Sequence, residues 1–310
     1  MGDLKLFQVQ NGTAVELHGT ALALEKPLQA LIERNMESLF GVRFLASEHS
    51  TGKKHGGRID SLGLDENGSP VIFEYKRALN ENVINQGLFY LDWLLDHRAE
   101  FELLVMKKLG APAADQINWT APRLMCVASD FTRYDEHAIA QINRSIELIR
   151  YRDYTGEFLT LDLFASTSAT ATAAGVDSPP RSNAKKGASQ SSQKNATQFH
   201  EQAPEDLRNL YDSLEAYLLS LGDDVTKTTN KNYYAFRRIK NFACVEVHPQ
   251  SKKLLVYLKA DAANINQESG FTRDVTTIGH FGTGNLEVTI DSRQDFERAQ
   301  PPIQASYDAS

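Results

Sequence analysis

The stretch GGRIDSLGLDENGSPVIFEYKR, residues 56–77, decides how the chain folds. RIDSLGLD and VIFEYKR are two largely apolar runs, and Asn67-Gly68 between them is a strong short-range hairpin signal. A side-chain period of two puts Ile72, Glu74 and Lys76 on one face of the second strand and Val71, Phe73 and Tyr75 on the other. If Asp65 and Ser69 close the turn, the antiparallel register sets Asp60 opposite Glu74, on the face that Lys76 shares. Two carboxylates and an ammonium then converge at one spot. Opposed like charges destabilise a sheet unless a lysine or a divalent cation compensates them. Two carboxylates with open water positions suit Mg²⁺, which prefers oxygen ligands and keeps part of its hydration shell.

Outward from the hairpin the pattern alternates between helix and strand. A helix is expected from about Glu25 to Phe40, where Leu28, Leu31, Ile32, Met36, Leu39 and Phe40 form one apolar stripe. The short apolar run Val42 to Leu45 follows, then the basic, glycine-rich loop TGKKHGGR with Lys53, Lys54, His55 and Arg58. A second helix, from about Glu81 to His97, carries Gln86 and Tyr90 at i, i+4 and so on one face, with Trp93 on its packing side. Further on, PRLMCVA reads as a buried strand, HAIAQINRSIELI as a helix and EFLTLDLF as a closing strand. The sum is an α/β sandwich around a mixed sheet.

At 310 residues the chain is long enough for two domains, each with its own core. Between Ala165 and Gln198 the only sizeable aliphatic residue is Val176, so this stretch cannot offset its ordering entropy and reads as a flexible linker. The expected division is 1–164, a linker over 165–200, and a small α+β domain over 201–310. The last opens on a helix near Pro204 with Leu207, Leu210, Tyr211, Leu214 and Leu218 at helical spacing, followed by the strands FACVEVH, KLLVYLK and NLEVTID.

The combination of Asp60, the strand Glu74-Tyr75-Lys76 and the helical Gln86-x-x-x-Tyr90 resembles the PD-(D/E)XK nuclease superfamily. GGRIDSLGLDENGSPVIFEYKR followed by VINQGLFYLDWL looks most like the catalytic domain of NucS/EndoMS-type (DUF91-like) endonucleases. That resemblance implies a restriction-endonuclease-like mixed sheet flanked by helices, and a Mg²⁺-dependent DNA endonuclease in which Mn²⁺ can substitute. It assigns Asp60 and Glu74 as metal ligands, Lys76 as the catalytic lysine, and Gln86 and Tyr90 as the pair that orients substrate or metal water. The same enzymes use a Glu from the first helix. Glu25 ranks first for that role and as a metal ligand, and Glu33, two helical turns later, is the alternative. Only residues 1–24 precede the expected first helix, too few for the DNA-binding domain found there in such proteins, so their mismatch specificity is not carried over. The C-terminal part resembles the DUF5655 family.

Lys53, Lys54, Arg58 and Arg77 lie beside the carboxylates and are the candidate phosphate contacts. In KNYYAFRRIKNF the rings Tyr233, Tyr234 and Phe236 interleave with cations; core aromatics beside surface cations outweigh a base-stacking platform there. The formal charge of −7 argues against a whole-surface polyanion binder but leaves room for a local basic groove. Cys126 and Cys244, in apolar strand-like runs, read as buried free thiols. The N-terminal stretch has no secretory signal pattern, and with no apolar run long enough for a membrane a cytoplasmic protein is expected. A double-strand cut in one encounter needs two active sites, which makes a homodimer attractive. DNA repair and phage defence are both open settings. The rival reading is a catalytically silent nuclease fold that only binds nucleic acid or a protein partner.

Overall fold

The computed structural model of the chain describes residues 4–21, 25–76, 82–169, 195–261 and 267–310, without the side chains of Lys54 and Asn82. Arg77 and most of the expected linker lie outside the described residues. The chain falls into two compact units, 1–168 and 169–310.

The first unit opens with a two-stranded hairpin, β1 (Leu6–Gln10) and β2 (Thr13–Leu17), turning at Asn11-Gly12 with positive φ at both residues. Helix α1 (Glu25–Phe40) follows, then β3 (Val42–Ser50), a single turn α2 (Gly52–His55), β4 (Arg58–Asp65) and β5 (Pro70–Lys76). Helices α3 (Asn82–Asp96), α4 (Arg98–Leu109) and α5 (Ala111–Asp115) lead to β6 (Arg123–Ala128), α6 (Arg133–Ala140), β7 (Ser145–Tyr154) and β8 (Phe158–Thr167). The strands form one mixed sheet in the order β3-β4-β5-β6-β7-β8, parallel from β5 to β7 and antiparallel elsewhere. The crossover that parallel strands require is supplied between β5 and β6 by α3 to α5.

Helix α1 buries Leu28, Ile32, Met36 and Phe40, and the Phe40 ring meets Phe73 edge-on at 5.2 Å. On the opposite face α3 packs Ile84, Leu91 and Leu94 against Ile72, Leu124 and Cys126. Gly87 permits this approach, since a Cβ there would stand 2.4 Å from the Leu124 side chain. The β4–β5 turn closes as the Asn-Gly signal requires: Asp65 N–H donates to Ser69 O, and Gly68 takes the positive φ.

Beneath this turn lies a charged cluster that sequence periodicity does not reveal. The Arg123 guanidinium donates to Asp65 Oδ2 at 2.9 Å and to both Glu147 oxygens at 2.9 and 2.7 Å, all three side chains buried. Asp65 Oδ1 in turn accepts the backbone N–H groups of Asn67 and Ser69, so one carboxylate closes the turn and ties it to β6 and β7.

Three expectations are corrected. Residues 145–149 belong to strand β7, because a strand buried on both faces gives a near-continuous apolar run that a helical stripe can imitate. Strand β3 runs on from the expected Val42–Leu45 to Ser50. Ala165, Ser166 and Thr167 pair with β7 through β8 rather than starting a tether.

The second unit holds α7 (Ala196–Glu201), α8 (Glu205–Ser220), β9 (Thr226–Thr229), β10 (Tyr234–Arg237), β11 (Asn241–His248), β12 (Lys253–Leu258), β13 (Thr272–Asp274), β14 (Leu286–Ile290) and α9 (Arg293–Asp308). Its antiparallel sheet has the order β13-β14-β12-β11-β10-β9, with α8 and α9 packed on one face. Tyr233, Tyr234 and Phe236 are all buried, which makes them core rather than a stacking surface. Both cysteines are buried and free.

Replacing Arg123 with methionine strands two buried carboxylates. Chemical denaturation should show the first unit destabilised by about 3–5 kcal/mol, whereas an exposed pair such as Lys5–Glu16 should register almost nothing on disruption.

Candidate active site

The carboxylates meet where the β4–β5 ladder ends. Its last pair is Ser61 with Phe73, and the same register carries Asp60 to a position across from Glu74. Beyond it, side chains replace the ladder: Asp60 N–H donates to Glu74 Oε1 at 3.3 Å, and Tyr75 N–H donates to Asp60 Oδ2 at 3.0 Å. Each acid thus spends one oxygen holding the other strand's backbone. Glu74 is fully buried, and its Oε2 has no hydrogen-bond partner.

The electrostatics follow from that burial. Desolvation, then the facing Asp60, pushes the Glu74 carboxyl up to about 9, against the opposing pull of the Asp60 N–H and Lys76. Asp60 is also raised by burial, with the Tyr75 N–H and Lys76 acting against the shift. Lys76 points to the same spot, its Nζ 3.9 Å from Glu25 Oε2 at the first turn of α1.

The two candidate acids of α1 meet different partners. Glu33 accepts a 2.6 Å hydrogen bond from Ser61 Oγ and one from Gln29 Nε2, and Ser61 Oγ is also the acceptor of the Tyr75 hydroxyl. It therefore belongs to the α1 face, away from Glu74, and the alternative of a Glu33 ligand is set aside. Glu25 stands beside Lys76 and acts electrostatically on Asp60.

Gln86 and Tyr90 lie together on α3: Gln86 Nε2 donates to the Tyr90 hydroxyl at 3.3 Å, and the same hydroxyl accepts the Arg58 backbone N–H at 3.2 Å. Gly57 packs flat on that ring, where a Cβ would approach to 2.7 Å. Tyr90 thereby anchors the basic loop to the strand that carries Asp60. The loop is further closed on itself by Thr51 and Gly57, which exchange hydrogen bonds of 3.0 Å. Lys53 and Arg58 project from it exposed.

Periodicity does not reveal Glu48, because the apolar run that marks β3 in the sequence ends at Leu45. Ser47 and His49 pair with Ser61 and Ile59, which sets Glu48 across from Asp60. Glu48 has a φ of 49°, an uncommon backbone for a non-glycine residue. The effect is visible on its neighbours: Ser47 accepts from Gln29 of α1, yet the His49 ring lies 5.4 Å from Trp93 of α3. The strand changes faces at Glu48, and β4 does the same at Asp60, with Ser61 toward α1 and Ile59 in the α3 core. Glu48 ion-pairs with Lys26 at 3.2 Å and Arg58 at 3.8 Å, and its charge raises the pKa of both Asp60 and Glu74.

The donor set is all oxygen, with one buried carboxylate oxygen unpartnered, which fits a hard divalent cation that retains water. Among the described residues no group of three or more His, Cys, Asp and Glu is gathered tightly enough to hold a metal alone.

The model of a domain family of unknown function, DUF5655, matches residues 196–310, within the second unit. An uncharacterized protein of Haemophilus influenzae is 27% identical over 301 residues, covering 95% of this chain and 96% of that protein. Among solved structures, a repair endonuclease from Pyrococcus abyssi shares 19% identity over 42% of this chain and 47% of its own, with a TM-score of 0.29. A structure of an EndoMS–double-stranded DNA complex shares 22% identity over 42% of this chain and 46% of its own, with a TM-score of 0.28. The chain spans less than half the length of those two structures. No described helix is long and apolar enough to cross a membrane.

The raised Glu74 carboxyl makes stability depend on pH in a defined direction. Its proton is held more tightly in the fold than in the unfolded chain, so its contribution is complete below about pH 4.5 and is lost as pH rises through about 9. In EDTA, Glu74→Gln should melt near the wild-type temperature at pH 4.5 and well above it at pH 9. Calorimetry across that range checks the widening gap.

Proposed function

We propose that the first unit is a divalent-cation-dependent endonuclease that hydrolyses DNA phosphodiester bonds. One observation carries the reading: a fully buried glutamate with an unpartnered oxygen faces a second carboxylate across the opened end of a hairpin, with a lysine alongside. Such a buried acid costs stability, which is tolerated where function requires it. Asp60 Oδ1 and Glu74 Oε2 would hold the cation, with Glu25 beside them through Lys76. Bound there, a cation such as Mg²⁺ supplies charge neutralisation at the phosphodiester and a lowered pKa for water.

The chain's own groups do the rest. The hydrogen bonds to the Tyr75 and Asp60 amides fix both carboxylates before any ligand arrives. Lys76 is placed to orient the attacking water or to offset the oxyanion charge that grows as the phosphorus–oxygen bond breaks. Gln86 and Tyr90 fix the basic loop, and Lys53 and Arg58 on it reach toward the phosphates that flank the cleaved bond.

Supercoiled plasmid incubated with Mg²⁺ or Mn²⁺ should be nicked and in EDTA should not. Asp60→Ala and Glu74→Ala should each remove cleavage while the fold persists by circular dichroism. Lys76→Ala should keep metal binding by calorimetry and lose rate by about 100-fold. Equal cleavage by the carboxylate variants would refute the reading, and DNA binding without cleavage under every metal would favour a binding-only module.

A further inference from the structure

Four described residues other than glycine have a positive φ, and three of them, Asn11, Thr155 and Lys252, sit in hairpin turns, where such a backbone helps to close the loop. Glu48, at 49°, is the one inside a strand. A glycine would adopt that conformation without strain, whereas a glutamate there costs stability. Its ion pairs do not offset the cost. The side chains of Lys26 and Arg58 are 77% and 70% exposed, and pairs of that kind contribute little. What a glutamate supplies at this place, and a glycine would not, is a carboxylate.

Its neighbours show what that carboxylate acts on. The register of β3 against β4 sets Glu48 across from Asp60, and Asp60 faces Glu74 on its other side. Beyond the burial that raises both of those carboxyls, the Glu48 charge raises each of them further. A negative potential that holds protons on two acids attracts a divalent cation to them by the same Coulomb interaction, with twice the charge. The group that points to a ligand within this potential is Glu74 Oε2, buried and without a hydrogen-bond partner. Glu48 itself stands apart from the acid pair, half-buried and facing Lys26 and Arg58, so it contributes charge rather than a ligand atom.

We infer that Glu48 is a positioning residue of the cation site, a third carboxylate that does not ligate but tightens the hold of Asp60 and Glu74 on a divalent cation. The inference rests on the cation reading of that acid pair and adds to it a residue from a third strand. It also gives the strained backbone a use, since the strain keeps a charge across from Asp60 at a point where the strand changes faces.

Calorimetric titration of Mn²⁺ into the full chain, with no DNA present, tests this without reference to cleavage. Glu48→Gln is expected to weaken Mn²⁺ binding about tenfold. Glu37→Gln, which makes the same change of net charge at an exposed position further along α1, should bind as the wild type does. Glu48→Gly separates charge from packing: it should bind Mn²⁺ as weakly as Glu48→Gln, yet in EDTA melt at or above the wild-type temperature, because the backbone strain is relieved. A merely structural Glu48 would give the reverse, a lower melting temperature with unchanged Mn²⁺ affinity. Wild-type affinity in both Glu48 variants, or an equal loss in Glu37→Gln, overturns the inference while leaving the acid pair in place, so long as Asp60→Ala removes binding. Mn²⁺ binding that is absent from the wild type, or unchanged in Asp60→Ala, overturns the cation reading and the inference with it.

Discussion

Everything in the first unit's candidate site depends on the register of β4 against β5. A slip of one residue would carry every side chain to the other face and part Asp60 from Glu74. The turn alone does not fix that register, since Asn-Gly loops of different length are sterically open to it. Asp65 removes the freedom: its carboxylate accepts two amides of the turn through one oxygen and the Arg123 guanidinium through the other. Arg123 is held in turn by Glu147 on β7, so the hairpin is indexed against the two parallel strands beside it. The ion cluster at one end of the hairpin thereby positions the acid pair at the other.

The two ends of this hairpin show opposite uses of buried charge. At the turn, Asp65 and Glu147 face a guanidinium with matched donors, and burial is compensated. At the open end, Glu74 faces a second acid, its second oxygen is unmatched, and its carboxyl holds a proton to about pH 9. A structural role rewards the first arrangement and gives no reason for the second. The same contrast recurs in the second unit, where Glu287 is satisfied by Arg273 and Glu246 is left with one bare oxygen. Unmatched buried acceptors are where these folds sacrifice stability.

Much of this was legible in the sequence because the relevant order is local. Strand period and a two-residue turn signal set Asp60 against Glu74, and helical period set Gln86 above Tyr90. Helix α1 likewise starts at Glu25 and ends at Phe40, as its apolar stripe requires. What was not legible depends on contacts between distant segments. Glu33 and Glu25 share a helix and a residue type, and only the packing of that helix on the sheet decides that one meets Ser61 and the other Lys76. The β7 strand was disguised because burial on both faces erases alternation. The Asn11-Gly12 turn did carry a readable signal, the same one that marks residues 67 and 68.

Glu48 marks the point at which strand periodicity itself fails. The period of two assumes a regular pleat, and a left-handed residue breaks it by turning the next side chain to the opposite face. Here the break falls across from Asp60, so β3 and β4 change faces together at one lateral pair. The β4–β5 ladder ends one pair short of it, at Ser61 and Phe73, and the Tyr75 and Asp60 amides donate to the two carboxylates instead. The end of the ladder, the exposed Arg58 and the unmatched oxygen of Glu74 all gather around this one irregular pair. A pattern reading locates the acids, but the residue set across from Asp60 is one that violates the pattern.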